Sequence, residues 1–234
     1  MLYEDNHIIA VYKPAGMLSQ GDKTGDISLF DEVKRYLKET RALKFQRNLV
    51  LGRALNGLSA LEYKKPGKVF LGLLHRLDRP VSGIMLFAKT SKGASRLSEQ
   101  FRNQSIEKTY QALVSGKPKE KKGVLVNRIK KIQQKASASL SGKEAVLYYE
   151  VVWQDKKYSL LKIQIESGKF HQIRAQLSLA GLPIVGDVKY GGEKWKDEKR
   201  IALEAMGLAF TTATGDKRIN LSTGSLDFNE LLMR

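Results

Sequence analysis

The chain has 234 residues and no cysteine, and its 41 Lys+Arg against 24 Asp+Glu give a formal net charge of +17. This length suits one compact domain with a substantial core, and the missing cysteine excludes disulfides and thiolate metal sites. No apolar run approaches the roughly 20 residues of a membrane span, and the first residues lack the pattern of a signal peptide, so we expect a cytoplasmic protein without a membrane partner.

The positive charge is spread along the chain rather than gathered in a tail. The densest short run is 117–122 (KPKEKK), and further runs lie within 34–53, 64–68, 128–131 and 194–200. Any single run is as consistent with a solvated loop as with a nucleic-acid contact. Their sum favours a polyanionic partner, with nucleic acid ahead of an anionic membrane surface.

The first part of the chain predicts both strand and helix. Residues 7–13 (HIIAVYK) are apolar and β-branched and predict a strand. Apolar residues then recur at helical spacing, which predicts an amphipathic helix over 28–40. The mixed segment 41–62 predicts a basic helix with a break at Gly52 or Gly57.

Further along, strands are predicted over 69–74 and 84–88, with a polar elbow at 75–82 between them. The remaining predictions are a helix from Thr90 or Ser91, strands over 108–114, 146–153 and 160–165, a helix over 171–180, a hairpin of 201–210 and 218–221 around Gly215, and a closing helix over 227–233. Strands outnumber helices and seldom alternate with them. The fold class is therefore α+β, with a mixed, mostly antiparallel central sheet flanked by helices.

Common cofactor and nucleophile motifs are missing. The chain has no G-x-x-x-x-G-K-[ST], no G-x-G-x-x-G and no G-x-S-x-G. Its three histidines, His7, His75 and His171, are far apart in sequence and lack thiolate partners, so no metal site is expected. The remaining possibility is cofactor-free chemistry on an anionic polymer.

The elbow His75-Arg76-Leu77-Asp78-Arg79 places a carboxylate between two arginines at the end of a strand. Nearby cations lower the pKa of a carboxyl group, which suits a nucleophile or a base that must be ionised at neutral pH. An Arg–Asp pair that only pins a loop is the alternative, and from residue chemistry alone it is the commoner one.

At this elbow the sequence resembles a known family. The segment HRLDRPVSGIMLFAKT is similar to the catalytic motif of the RluA-type RNA pseudouridine synthases, whose hallmark is His-Arg-Leu-Asp. Three more segments resemble landmarks of that family in the same order: YEDNHIIAVYKPAGML, IEKTYQALVSGKP and ESGKFHQIRAQLSLAGLPIVGDVKYGG. Together they cover most of residues 3–192, and they favour the catalytic interpretation of Asp78.

The resemblance implies the pseudouridine synthase fold, with an active-site cleft across the sheet and chemistry without metal or cofactor. Asp78 matches the essential carboxylate, Tyr110 the tyrosine that stacks on the flipped base, and Arg174 the arginine that pairs with the carboxylate. Without the motif, Tyr110 would be interpreted as a core residue and Arg174 as a solvated helix residue.

Four residues are implied as substrate-binding. Ile173 matches the aliphatic residue that lines the base pocket, with core packing as its alternative. Arg76 is expected to contact RNA near the vacated stack, and Arg79 is a candidate for a phosphate contact. Lys169 precedes Phe170 where the family commonly has Arg-Thr, so one positive charge is kept but the guanidinium fork is lost.

Other departures affect the domain organisation. Leu203-Glu204-Ala205 stands where the family usually has Leu-His-Ala, and residues 41–62 match no part of its pattern. We interpret 41–62 as either a substrate-shaping insertion or a surface excursion. The motifs begin at Tyr3, so we expect residues 1–234 to form a single catalytic domain without an N-terminal RNA-binding domain.

The leading hypothesis is an RNA uridine-to-pseudouridine isomerase that acts on structured rRNA or tRNA, as a monomer without an evident protein partner. The alternative is a non-catalytic RNA-binding or ribosome-assembly protein that retains the fold.

Overall fold

One large sheet organises the protein. The computed structural model describes residues 1–56 (backbone alone for 45–56), 68–195 and 198–224. The strands are β1 Tyr3–Glu4, β2 Ile8–Lys13, β3 Gly72–Leu73, β4 Ser82–Ala88, β5 Glu107–Ser115, β6 Lys122–Ile132, β7 Lys135–Ala138, β8 Lys143–Gln154, β9 Tyr158–Ile165, β10 Leu203–Thr211 and β11 Arg218–Ser222. The helices are α1 Leu29–Asn56, α2 Ser91–Arg102 and α3 Gln172–Leu179, with a 3₁₀ turn at Val188–Tyr190.

The sheet is mixed and mostly antiparallel. Its strand order is β1-β2-β4-β10-β5-β9-β8-β6-β7, with β3 paired to β4 and β11 paired to β10. Among the described strands, β4 and β10 run parallel and the other pairs run antiparallel. The predicted α+β class is confirmed.

Both faces of the central strands are covered. In β4 every residue is buried, because successive side chains point to opposite faces and each face meets its own cluster. Met85 and Phe87 join the larger apolar cluster, which also includes Leu37 of α1 and Leu177 of α3. Their neighbours in β4 join the smaller cluster around Leu97 of α2. A strand buried on both sides therefore follows directly after the elbow.

Helix α2 begins as predicted. The Thr90 side chain accepts a hydrogen bond from the Gly93 N–H at 3.1 Å, which caps the first turn.

Helix α1 differs from the prediction. It runs without interruption from Leu29 to Asn56, so it joins 28–40 to much of 41–62 and passes through Gly52. Leu, Arg, Lys and Gln favour helix, and one glycine costs only about 1 kcal/mol, which the rest of the helix outweighs. The alternative break at Gly57 and the closing helix over 227–233 lie outside the described residues. No helix in the described part of the chain is long and apolar enough to cross a membrane.

The hairpin of β6 and β7 was not predicted. Residues 122–132 combine exposed valines with a run of basic residues, and in this strand the side chain of Ile129 alone is buried. The strand forms because its backbone pairs with β8 from Lys122↔Glu150 to Ile129↔Lys143. Pairing of this kind depends on a distant segment, which local composition does not reveal.

Gly83 permits the close approach of β4 and β10. Its φ is +130°, and a Cβ atom there would lie 2.4 Å from the Ala205 carbonyl oxygen and 2.6 Å from the Ala205 nitrogen. Gly215, in the β10–β11 turn, also has a positive φ of +84°, but an added Cβ atom would meet nothing within 4 Å.

These two glycines form a matched pair for a stability test. Gly83→Ala should lower the free energy of unfolding by roughly 3 kcal/mol or more, since both backbone strain and overlap with the neighbouring strand oppose it. Gly215→Ala should cost about 1 to 2 kcal/mol, from backbone strain alone. Urea unfolding measures both values, and equal losses would contradict the proposed overlap at Gly83.

Candidate active site

Asp78 lies in a short turn between β3 and β4, and the backbone around it is firmly held. The Val81 N–H donates to the Asp78 carbonyl at 3.0 Å and closes the turn. The Ser19 hydroxyl donates to the Leu77 carbonyl at 2.6 Å and accepts the Leu77 N–H at 3.0 Å. The Gly16 N–H donates to the Arg79 carbonyl at 2.8 Å. Asp78 therefore has little backbone freedom.

A buried lysine lies beneath this turn. The Lys13 side chain is fully buried, and its ammonium donates to the carbonyls of Pro14, Met17 and Arg79 at 3.1, 2.8 and 3.2 Å. Burial lowers the pKa of Lys13 to about 8, and the negative charge of Asp78 partly opposes that shift. Lys13 thus ties the end of β2 to the elbow, a role that the sequence analysis did not assign.

Arg174 orients the Asp78 carboxylate. Its Nη1 donates to Asp78 Oδ2 at 3.0 Å, while Nε and Nη2 donate to the two carboxylate oxygens of Asp187 at 2.7 and 2.8 Å. Asp187 is 1% exposed and Arg174 5%. Burial alone would lower the pKa of Arg174, but the bonds to Asp187 and the charge of Asp78 outweigh it and raise that pKa. The guanidinium is therefore a fixed cation with one hydrogen-bonding edge left for Asp78.

A cleft opens in front of Asp78. Its lining includes six of the seven predicted site residues, namely Arg76, Asp78, Tyr110, Lys169, Ile173 and Arg174. Desolvation by burial, helped by the charge of Asp78, raises the pKa of Tyr110. The phenol is therefore protonated at neutral pH.

The predicted binding residues differ in burial and in their hydrogen bonds. Ile173 is 5% exposed and packs in the main core cluster as well as lining the cleft. Arg76 is exposed, and its guanidinium makes no hydrogen bond or ion pair with the described residues. Lys169 donates to the Ser167 hydroxyl at 2.8 Å, and burial lowers its pKa.

Arg79 is placed differently. It is absent from the cleft lining, and its guanidinium donates to an Asp26 carboxylate oxygen at 2.6 Å and to the Gly16 carbonyl at 3.0 Å. These bonds hold the loop that precedes α1 against the elbow.

His171 stands between Asp78 and Tyr190. It adopts a left-handed backbone conformation, φ 50°, at the start of α3. Its Nε2 lies 3.5 Å from Asp78 Oδ2, and its Nδ1 lies 2.9 Å from the Tyr190 hydroxyl, which also accepts the Ala136 N–H at 2.7 Å. Burial lowers the pKa of His171 to about 4, so the imidazole is neutral at pH 7. The Phe170 ring stacks on it with centroids 3.8 Å apart.

Three supporting residues received no role from the sequence: Lys13, Asp187 and Tyr190. The last two belong to the G-D-x-x-Y-G pattern of 186–191, so the motif contained the needed information. Lys13 starts the Lys-Pro-x-Gly turn after β2, but nothing in the sequence marks its ammonium as buried. Among the described residues, no group of three or more His, Asp or Glu side chains could hold a metal ion.

Glu204 is buried behind this region. Its carboxylate accepts the Thr223 hydroxyl at 2.8 Å and, more weakly, the hydroxyls of Ser82 and Tyr12 at 3.4 Å each. Because alternate residues of β10 face opposite sides, Glu204 points away from Leu203, which lines the cleft. Glu204 therefore stands in place of the family's usual histidine on the sheet face opposite the cleft.

His75, at the start of the elbow, contacts β4 and α2. Its Nε2 accepts the Leu86 N–H at 2.9 Å, and its ring stacks on Phe101 with centroids 4.9 Å apart. Burial lowers the pKa of His75 from 6.5 to about 4, and the positive charge of Lys108 acts in the same direction. Both the bond and the burial require a neutral imidazole.

A pH dependence of stability follows. As the pH falls, His75 takes up a proton near pH 6.5 in the unfolded chain but only near pH 4 in the folded chain. The contribution of His75 to stability is therefore full above about pH 6.5 and is lost as the pH falls toward 4. His75→Gln keeps a possible acceptor for Leu86 without titrating. It should reduce the slope of unfolding free energy between pH 4 and 6.5 by up to about 1.4 kcal/mol per pH unit. Urea titrations at several pH values measure this, and an unchanged slope would contradict a neutral His75.

Comparison with known proteins agrees with this geometry. Residues 7–179 match the family model for RNA pseudouridylate synthase. A ribosomal large subunit pseudouridine synthase C of Rickettsia bellii is 29% identical over 228 residues, which cover 94% of this chain and 66% of the relative. An uncharacterized RNA pseudouridine synthase of Zymomonas mobilis is 37% identical over 142 residues, covering 58% of this chain and 65% of that protein. The chain thus spans slightly less than two thirds of the length of these relatives.

Solved structures show the same fold. The human RNA pseudouridylate synthase domain containing 4 has a TM-score of 0.69 at 22% identity, covering 97% of this chain and 89% of its own. The human RNA pseudouridylate synthase domain containing 1 has a TM-score of 0.70 at 20% identity, covering 98% and 84%. Since the family model covers most of the chain and the motif residues meet in one cleft, the chain belongs to the RNA pseudouridylate synthase family.

Proposed function

We propose that this protein isomerises specific uridines in structured RNA to pseudouridine, with Asp78 as the essential carboxylate. The observation that carries the proposal is the Asp78–Arg174 pair at the cleft, held from behind by buried Asp187. A carboxylate that is kept oriented beside a fixed cation in a partly dry cleft is suited to act on a ribose.

The reaction breaks the bond from N1 to C1′, turns the base, and joins C5 to C1′. The C5 hydrogen leaves as a proton and N1 gains one, so the product is an isomer of uridine. Asp78 acts either by attack on C1′ or by abstraction of a ribose proton. Both routes require the target nucleotide to leave its stack, because a protein carboxylate cannot reach the ribose otherwise.

Tyr110 is proposed to stack on the flipped base, with Ile173 as the apolar contact beside it. Both side chains line the cleft with Asp78. Because the pKa of Tyr110 is raised, its phenol is not ionised at neutral pH. Any help in removing the C5 proton therefore comes from the hydroxyl as a hydrogen-bonding group, not from a standing phenolate.

Arg76 and Lys169 are proposed RNA contacts at the cleft. Arg76 is exposed there and its charge is available to a phosphate or to an exposed base. Arg79 stays a weaker proposal, since an RNA phosphate would compete with Asp26 for its guanidinium. We propose that residues 1–234 act as one catalytic domain and hold the RNA through their own net charge of +17.

Large-subunit rRNA is the proposed substrate class ahead of tRNA, because the Rickettsia relatives carry that substrate in their names. A non-catalytic RNA-binding role is less well supported, since Asp78, Tyr110 and Arg174 all lie in one cleft. The proposed active unit is a monomer, because a single chain supplies all three residues. The cytoplasmic location stays a prediction from the sequence.

Tritium release tests the proposed reaction. Large-subunit rRNA transcribed with uridine tritiated at C5 should lose tritium to water when incubated with the protein. Asp78→Asn should lower the rate by at least about 1,000-fold, because the amide cannot act as the charged group. Circular dichroism should show that this variant keeps its fold.

Turnover that survives in Asp78→Asn would overturn the role of Asp78. RNA binding by the wild-type protein without tritium release, from rRNA and tRNA pools alike, would favour the non-catalytic alternative.

Asp187→Asn tests the support behind Arg174. The amide of Asn has one acceptor oxygen and an NH₂ group, so it cannot accept both the Nε and the Nη2 hydrogen bonds of Arg174. Arg174 should lose its orientation, and turnover should fall by roughly 10- to 100-fold. The free energy of unfolding should also fall, by about 3 to 5 kcal/mol, because a buried ion pair loses one partner. Asp155→Asn, an exposed carboxylate outside the cleft lining, serves as the control and should leave turnover unchanged.

A further inference from the structure

A second concavity lies beside the cleft. It is a groove of about 670 Å³ between the β6–β7 hairpin, α3 and the 3₁₀ turn. Its lining includes Lys135, Ala136, Ala175, Ser178, Lys189 and Tyr190, and no acidic side chain of the described residues belongs to it. We call it the hairpin groove.

The walls of the hairpin groove are fixed by hydrogen bonds. The Ala136 N–H donates to the Tyr190 hydroxyl at 2.7 Å, which ties the hairpin to the 3₁₀ turn. The Ser178 hydroxyl donates to the Tyr190 carbonyl at 2.7 Å, which ties α3 to the same turn. Alanines and serines along the lining leave room for another backbone to approach closely.

Two lysines face this groove without an ion-pair partner among the described residues. Lys135 is exposed and Lys189 half-buried, and within the described ranges neither forms an ion pair or hydrogen bond. Burial lowers the pKa of Lys189, the positive charges of Arg174 and Lys135 add to the shift, and the negative charges of Asp78 and Asp187 oppose it. Asp78 and Asp187 are both bonded to Arg174. The two lysines therefore repel each other unless an anion lies between them.

The hairpin groove adjoins the catalytic cleft. Tyr190 lines the groove, while His171 and Arg174 line the cleft. The Tyr190 hydroxyl lies 2.9 Å from His171 Nδ1, and the Arg174 guanidinium carbon lies 5.0 Å from the centroid of the Tyr190 ring. Tyr190 thus contacts two residues of the cleft lining, so the groove and the cleft are separated by these side chains.

We propose that the hairpin groove binds a backbone phosphate of the substrate RNA, with Lys135 and Lys189 as its two cationic contacts. This inference rests on the proposed function, because the bound strand is the one that carries the target uridine. Lysine ammonium groups act as point charges and phosphates are the same at every nucleotide, so the site contributes affinity and register but no base preference.

Salt-dependent binding tests this site without turnover. Large-subunit rRNA, transcribed in vitro and therefore unmodified, is bound to Asp78→Asn protein over a series of salt concentrations. Addition of Lys135→Gln and Lys189→Gln should weaken binding and reduce the slope of log K against log salt by about 0.7 to 0.9, the value for one phosphate contact.

A matched control removes two lysines elsewhere. Lys92→Gln and Lys156→Gln change the net charge equally, but both residues are exposed and lie outside the groove lining. In the same Asp78→Asn background they should leave the slope nearly unchanged. Lys135→Arg with Lys189→Arg should preserve both the slope and the affinity, because the charges remain.

The outcomes separate this inference from the proposed function. If the groove and control variants reduce the slope of log K against log salt equally, or if neither reduces it, the hairpin groove is not a phosphate site. This holds even if the wild-type protein releases tritium. Absence of tritium release from wild-type protein would instead overturn the proposed function. A reduced slope confined to the groove variants would support the phosphate site.

Discussion

The buried pair of Arg174 and Asp187 is the interaction on which the site depends. A guanidinium in the interior needs hydrogen-bond acceptors for its donors, and Asp187 takes two of them in a bidentate bond. The remaining Nη1 then points in one direction, toward Asp78. Orientation of the carboxylate thus comes from a residue that does not line the cleft. An Arg–Asp pair alone in water would contribute little, whereas this pair is held by burial on one side.

The elbow is held at three further points, which leave its backbone little freedom. Lys13 bonds to the Arg79 carbonyl below it, and Ser19 bonds to both backbone groups of Leu77 in front of it. Gly83 lets β4 lie close against β10, and the neighbouring Ser82 hydroxyl donates to the Glu204 carboxylate of β10. These contacts come from segments that are distant in sequence. The sheet brings them together because β4 is bordered by β2 and β10.

Much of this arrangement could be predicted from local patterns. The elbow, the strand after it, the cap at Thr90 and the final hairpin follow from turn residues, apolar alternation and capping chemistry, which act over a few residues. The β6–β7 hairpin and the continuous α1 could not be predicted in the same way. The hairpin depends on pairing with β8, and the unbroken helix depends on a sum of weak propensities that outweighs one glycine. The hairpin forms one wall of the groove beside the cleft.

The sequence by itself favoured a polyanionic partner, through a net charge of +17, and identified Asp78, Tyr110 and Arg174 as candidates through its motifs. Only the tertiary structure decided which charges are free to act. Arg76 and Arg79 flank the same aspartate and look equivalent in the sequence, yet one is open at the cleft and the other is paired with Asp26. The physical reason is that the charge available at a site depends on neighbours in space and on burial, and neither is encoded by residues close in sequence.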